Sequence, residues 1–165
     1  MENNYTPCCP KFNPSLYDGR EFNWQQKTFI KDEVMAFMHM PLNLHKVMVR
    51  MWKKIKNAHA EPADQEFLML CYDPSLWKTE VYITTTKIVP NANNVAISGT
   101  FMAKVFDGAY KDIPKFYKEM EVYVASKGRS VSKMYIHYTY CPKCAEYYRH
   151  NYMIFFAETQ ETVVV

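Results

Sequence analysis

Cys141 and Cys144, separated by a proline and a lysine, are the residues of this chain whose type and spacing point most directly to chemistry. Two thiolates at that separation suit one zinc ion, because a tight turn directs both sulfurs inward. One pair is half a tetrahedral site. Cys8 and Cys9 could supply the remainder if the N-terminal segment folds across the second half of the chain, and the triplet Cys-Pro-Lys recurs there at Cys9. Cys9, Cys141 and Cys144 are thus candidate ligands of a structural zinc, with His150 as a further donor. Two rival readings stay open. A CxxC motif after a strand also suits thiol redox chemistry, although a thioredoxin-like fold needs more helix and sheet than the residues after Cys144 supply. The thiols could also be inert loop residues, the commonest case for such a pair. Cys71 falls in an apolar, strand-like run and reads as core.

Other catalytic signatures are missing from the sequence. It contains no GxSxG, GxGxxG, HExxH or phosphate-binding glycine loop, and four glycines in all give nucleotide binding no support. His39 and His137 lie in strand-like runs, where a satisfied buried histidine is commoner than a catalytic one. The formal charge of +3 is mild and the basic residues are spread along the chain, so direct nucleic-acid binding is not expected. No apolar run is long enough to span a membrane, and the N-terminus lacks the hydrophobic region of a secretory signal. A cytoplasmic location without a membrane partner is expected, with the five cysteines kept reduced. A homodimer is compatible with these features.

The elements that must position these groups come in two matching series, over residues 27–90 and 94–158. FMHMPLNLHKVMVRMWKKI is answered by KVFDGAYKDIPKFYKEMEVYV, and CYDPSLWKTEVYITT by YTYCPKCAEYYRHNYMIFF. The offset is roughly 65 to 70 residues, long enough for one supersecondary unit per repeat. Before them, residues 1–26 read as an irregular arm broken by Pro7, Pro10 and Pro14. The first series predicts a strand over 27–40, a helix over 42–58 opened by Pro41, and strands over 67–72 and 79–88. The second predicts a strand over 95–106, a turn at Asp107-Gly108, a helix over 113–126, and strands over 133–140 and 151–158. Residues 159–165 read as a tail, frayed or forming a short edge strand. Leu44, Val47, Met48, Met51 and Ile55 form the buried stripe of the first helix, and Phe116, Tyr117, Met120, Tyr123 and Val124 that of the second.

The expected fold class is α+β, with duplicated β-α-β-β units forming a curved antiparallel sheet, two main helices and a cleft at the pseudo-twofold axis. A single domain over 27–158 suits the 165 residues and their 48% hydrophobic content. Thirteen tyrosines are a surplus that a wet, apolar pocket would use, although antiparallel sheets favour them too.

The segment ISGTFMAKVFDGAYKDIPKFYKEMEVYVASKG resembles the second-half signature of the GyrI-like small-molecule-binding domain, in which a strand runs through an aromatic-glycine turn into a helix. The resemblance extends over about 27–158. It implies the family's range of roles: effector-binding modules of multidrug-sensing regulators, a gyrase-inhibitory protein, and stand-alone members, some linked to hydrolysis of cyclopropane-bearing toxins. This chain leaves no room for a helix-turn-helix domain and would be a stand-alone member. It departs from the pattern in its N-terminal arm and in the CPKC insertion.

The resemblance further implies a cleft with aromatic walls and a buried acid, holding an apolar, often cationic small molecule. Such an acid can pair with a ligand cation, or act as a general base when an apolar wall surrounds it. Glu80 fits, two residues from Tyr82 on the same strand face and just after Trp77 in the turn. Glu146 and Tyr152 hold the corresponding places in the second half. Glu158, Tyr110 and His137 complete the candidate ligand-binding residues. Glu80 and Glu146 could instead be ordinary solvated charges. Three functional classes follow: a small-molecule-binding module, a hydrolase of an electrophilic compound using a glutamate to direct water, and an interaction protein such as a gyrase inhibitor. None of the three requires a cofactor.

Overall fold

The computed structural model describes residues 6–37 and 40–161, and packing divides the chain into two units, one of residues 23–99 and the other of the segments before and after it. The predicted order of strand, helix, strand and strand is present in both, with one short strand added in the first and one short helix in the second. β1 (Arg20–Phe37), β2 (Met40–Pro41), α1 (Leu44–Asn57), β3 (Met69–Ser75) and β4 (Lys78–Thr84) come first. β5 (Asn93–Asp107), α2 (Ile113–Ser126), β6 (Arg129–Tyr138), α3 (Pro142–Tyr148) and β7 (Tyr152–Glu161) follow. The fold class is α+β with antiparallel strand pairing.

Within residues 23–99 the strand order is β2-β1-β4-β3. Val47, Met51 and Ile55, spaced four apart, are the buried residues of α1, as a helical stripe requires. Arg50 on α1 reaches Asp32 at 2.7 Å, which sets the helix over the sheet face carrying Ile30, Asp32 and Val34. By strand parity, Val81 and Ile83 of β4 share that face, and Phe29, Lys31, Glu80 and Tyr82 occupy the helix-free one.

In the other unit the order is β6-β7-β5. α2 opens with Pro114 in its first turn and ends before Gly128, which takes a left-handed φ of 72°. Phe116, Met120 and Val124 pack with Met102, Phe106, Met134, Ile136, Met153, Phe155 and Ala157. Gly108 is required by this packing, since a Cβ there would lie 2.7 Å from the Phe116 ring. The opposite face carries Phe101, Tyr135, His137, Phe156 and Glu158.

Several boundaries differ from expectation. β1 begins at Arg20, so the irregular arm ends before residue 26. Pro41 pairs with Ala36 in β2 instead of opening the first helix. The CPKC segment is not a loop: it forms α3, because Pro142 suits a first helical turn and the residues through Tyr148 continue it. Arg149, in the left-handed region at φ 56°, closes that helix. β7 runs on to Glu161, and the last tail residues and His39 lie outside the described residues. Among the described residues no helix is long and apolar enough to cross a membrane.

Candidate functional site

Glu80 sits on β4 with only 12% of its side chain exposed, and both of its oxygens are engaged. Lys31 Nζ lies 2.8 Å from Oε1, and the Tyr82 hydroxyl donates to Oε2 at 2.6 Å. The antiparallel register explains the trio. Lys31 stands directly opposite Tyr82, which places its ammonium diagonally across from Glu80 on the same face. The ammonium also lies 5.7 Å from the Tyr82 ring centroid, within cation-π reach. Tyr72 of β3 is the neighbour opposite Glu80 on the other side. Phe29 meets the Tyr82 ring edge-on, and Trp24 lies against Phe29, so the acid is set among aromatic rings.

Sequence reading found Glu80 and Tyr82 and missed Lys31. Its signal was the pairing of the first and last strands of the repeat, which single-strand parity does not reveal. Trp77 stands in the β3–β4 turn, 60% exposed, with its ring against Phe37 at 5.7 Å.

The second half arranges its candidates differently. His137, Tyr152 and Glu158 belong to β6 and β7 and share the helix-free face by parity. His137 is buried, while Glu158 is partly exposed opposite Lys133 and Phe101. Tyr110 lies in a short 3-10 turn, its ring edge-on to Tyr138. Glu146, expected in the place corresponding to Glu80, is an exposed residue of α3. The inserted helix displaces it from the sheet.

The third cluster brings together four cysteines. The Sγ atoms of Cys8, Cys9, Cys141 and Cys144 all lie within 4.8 Å of one another, so these residues could hold a metal ion. The cluster holds Cys9, Cys141 and Cys144 together with Cys8, the other cysteine of the N-terminal segment. Burial pushes the Cys9 thiol up to about 12, with the neighbouring Cys144 thiol adding to the rise and a backbone N–H from Cys141 opposing it. Such a group stays protonated unless a cation stands beside it. His150 is not part of the cluster: its Nδ1 pairs with Asp107 at 2.6 Å and its ring stacks on Tyr152.

A family model described as "Bacterial hydrolase" matches residues 1–159. Among solved structures, the C-terminal domain of EcmrR is similar with a TM-score of 0.67 at 11% identity, over 87% of this chain and 96% of that one. An uncharacterized conserved protein from Listeria innocua gives 0.65 at 9% identity, over 87% and 94%. EcmrR in its DNA complex gives 0.63 at 11% identity, over 87% of this chain and 56% of that one. At such identities the likeness is one of fold, and the fold is GyrI-like. No curated protein matches the chain in sequence.

Proposed function

The chain belongs to the bacterial hydrolase family, and on that premise we propose that it binds an apolar small molecule against the aromatic, helix-free face around Glu80 and adds water to it. The observation that carries this reading is the largely enclosed carboxylate fixed by Lys31 and Tyr82. A carboxylate held at both oxygens keeps one orientation, and its remaining lone pairs can accept a proton from water. The water oxygen then bonds to an electrophilic carbon of the ligand. The carbon's bond to its leaving atom breaks, and that atom keeps the electron pair and takes up the proton. An electrophilic, ring-strained compound of the cyclopropane-bearing kind suits a site in which a carboxylate directs water, Glu80 being the enclosed acid and Glu33, opposite it, being held by Lys78.

A second reading is reversible binding without turnover. It is favoured by the Lys31 ammonium, which already balances the charge of Glu80. The same pairing makes a neutral ligand a better fit than a cationic one, because an internal cation competes for the carboxylate.

Mass spectrometry of the protein mixed with strained electrophiles and apolar cations separates the two readings. A water-added product formed over many turnovers, and lost in Glu80→Gln, supports hydrolysis. Bound but unchanged compound supports the binding module. Turnover that survives neutralising Glu80 and Glu158 singly and together would remove both acids from the mechanism.

A further inference from the structure

The cysteine cluster has the dimensions of one tetrahedral ion. Cys8 Sγ lies 3.6 Å from that of Cys144, 3.7 Å from that of Cys141 and 3.9 Å from that of Cys9. With Zn–S bonds of ~2.3 Å, the sulfur–sulfur edges of a tetrahedral tetrathiolate come to about 3.8 Å. A disulfide would need a sulfur separation of about 2.05 Å, far shorter than these. An iron–sulfur cluster distributes its cysteines over several irons and spreads their sulfurs further apart than the 4.8 Å within which all four lie here.

The surroundings are those of a ligand shell. The Cys9 N–H donates to Cys144 Sγ and the Cys141 N–H to Cys9 Sγ, both at 3.4 Å. Such bonds orient sulfurs and share thiolate charge. The N-terminal arm is held by further contacts: the Phe12 N–H donates to the Tyr140 hydroxyl at 2.8 Å, and the Tyr148 hydroxyl to the Cys9 carbonyl at 3.0 Å. Phe12 also packs against the Tyr152 ring at 5.5 Å.

The geometry points to a structural zinc site made by Cys8, Cys9, Cys141 and Cys144, which staples the N-terminal arm to α3. Four thiolates are soft donors, and divalent zinc binds such a set more tightly than ferrous iron does. With four protein sulfurs the coordination is closed, leaving no position for water, so the ion's work is structural. Binding takes up one zinc ion and releases the protons of the thiols. The site stands apart from the chemistry assigned to Glu80 and is tested without reference to turnover.

Elemental analysis of the full chain purified under reducing conditions is expected to give about one zinc per chain. Replacing that zinc with cobalt is expected to produce the intense visible absorption and sulfur charge-transfer bands of a tetrahedral tetrathiolate. Serine at any of the four positions should weaken metal binding by more than the roughly 10–100-fold that loss of an outer partner costs. Cys71→Ala should leave the metal in place. If a serine variant fails to fold, cobalt titration of the unaltered, reduced protein still decides the matter. The proposal is overturned if that protein takes up neither zinc nor cobalt, if it is isolated with iron, or if Cys8→Ser keeps the four-sulfur spectrum.

Discussion

The unit of residues 23–99 and the unit formed by the flanking segments run the same order of strand, helix, strand and strand, yet they place their reactive groups differently. The first encloses Glu80 on its helix-free face and ties it to a lysine and a tyrosine of the same face. The second inserts α3 before its last strand and gathers cysteines beside that helix. Glu80 and Glu146 hold matching places in the repeated sequence, but only Glu80 stays on a strand. Strand parity and the helical stripe survive duplication because each core requires them. A polar residue on a connection is under no such constraint, and one short insertion moves it out of the sheet.

The sharpest way to break this comparison is to neutralise the two acids in turn. Glu80→Gln is expected to lower kcat/KM for the water-added product about 100-fold or more, the range of a lost general base. Glu146→Gln should change it by less than about twofold, in keeping with its exposure. Equal losses in a steady-state assay would show that the matching sequence positions do matching work.

The cores differ as well. Phe155 is fully buried and meets the rings of Phe106, Phe116 and Tyr117, whereas Ile55 closes an aliphatic stripe. Phe155→Ala should cost about 3–5 kcal/mol and Ile55→Val about 1 kcal/mol in urea unfolding. A reversal of that order would mean that the aromatic cluster is loosely packed.

The single cysteine of residues 23–99 offers a contrast in pH dependence. Burial, with a smaller contribution from Asp73, pushes the Cys71 thiol up to about 12 from its ordinary 9.0. Above the ordinary value the unfolded chain releases this proton while the folded chain keeps it. The associated stability is therefore present below about pH 9 and is lost as pH rises towards 12. Cys71→Val should flatten that decline relative to the unaltered protein, and unchanged curves would contradict the assignment. The smallest effect concerns the end of α3. Arg149→Gly should stabilise the protein by less than about 1 kcal/mol, because glycine adopts the left-handed conformation without the steric cost borne by arginine. A lower unfolding midpoint would indicate that the arginine side chain itself holds the turn.

Much of this architecture is legible in the sequence alone. The range of α2 agrees with the expected 113–126, since proline at its start, a three- and four-residue apolar spacing and glycine after its end all specify the same limits. The candidate site was legible in part. Parity along single strands put Glu80 with Tyr82, but Lys31 lies on another strand 49 positions away, and only the register brings it to the acid. α3 is not legible in the sequence, because a seven-residue helix is too short for periodicity to distinguish it from a turn. The place of Glu146 on that helix is illegible for the same reason.

The sequence by itself determined the repeated element order, the buried stripes and the supply of reactive side chains, because those depend on spacing along a local period. Only the tertiary structure decided that Cys8 and Cys144, 136 positions apart, bring their sulfurs within 3.6 Å, and that Glu80 faces Lys31. Such meetings depend on strand register and on where a connection turns. Local spacing constrains neither, because both are set by the packing of the elements against one another.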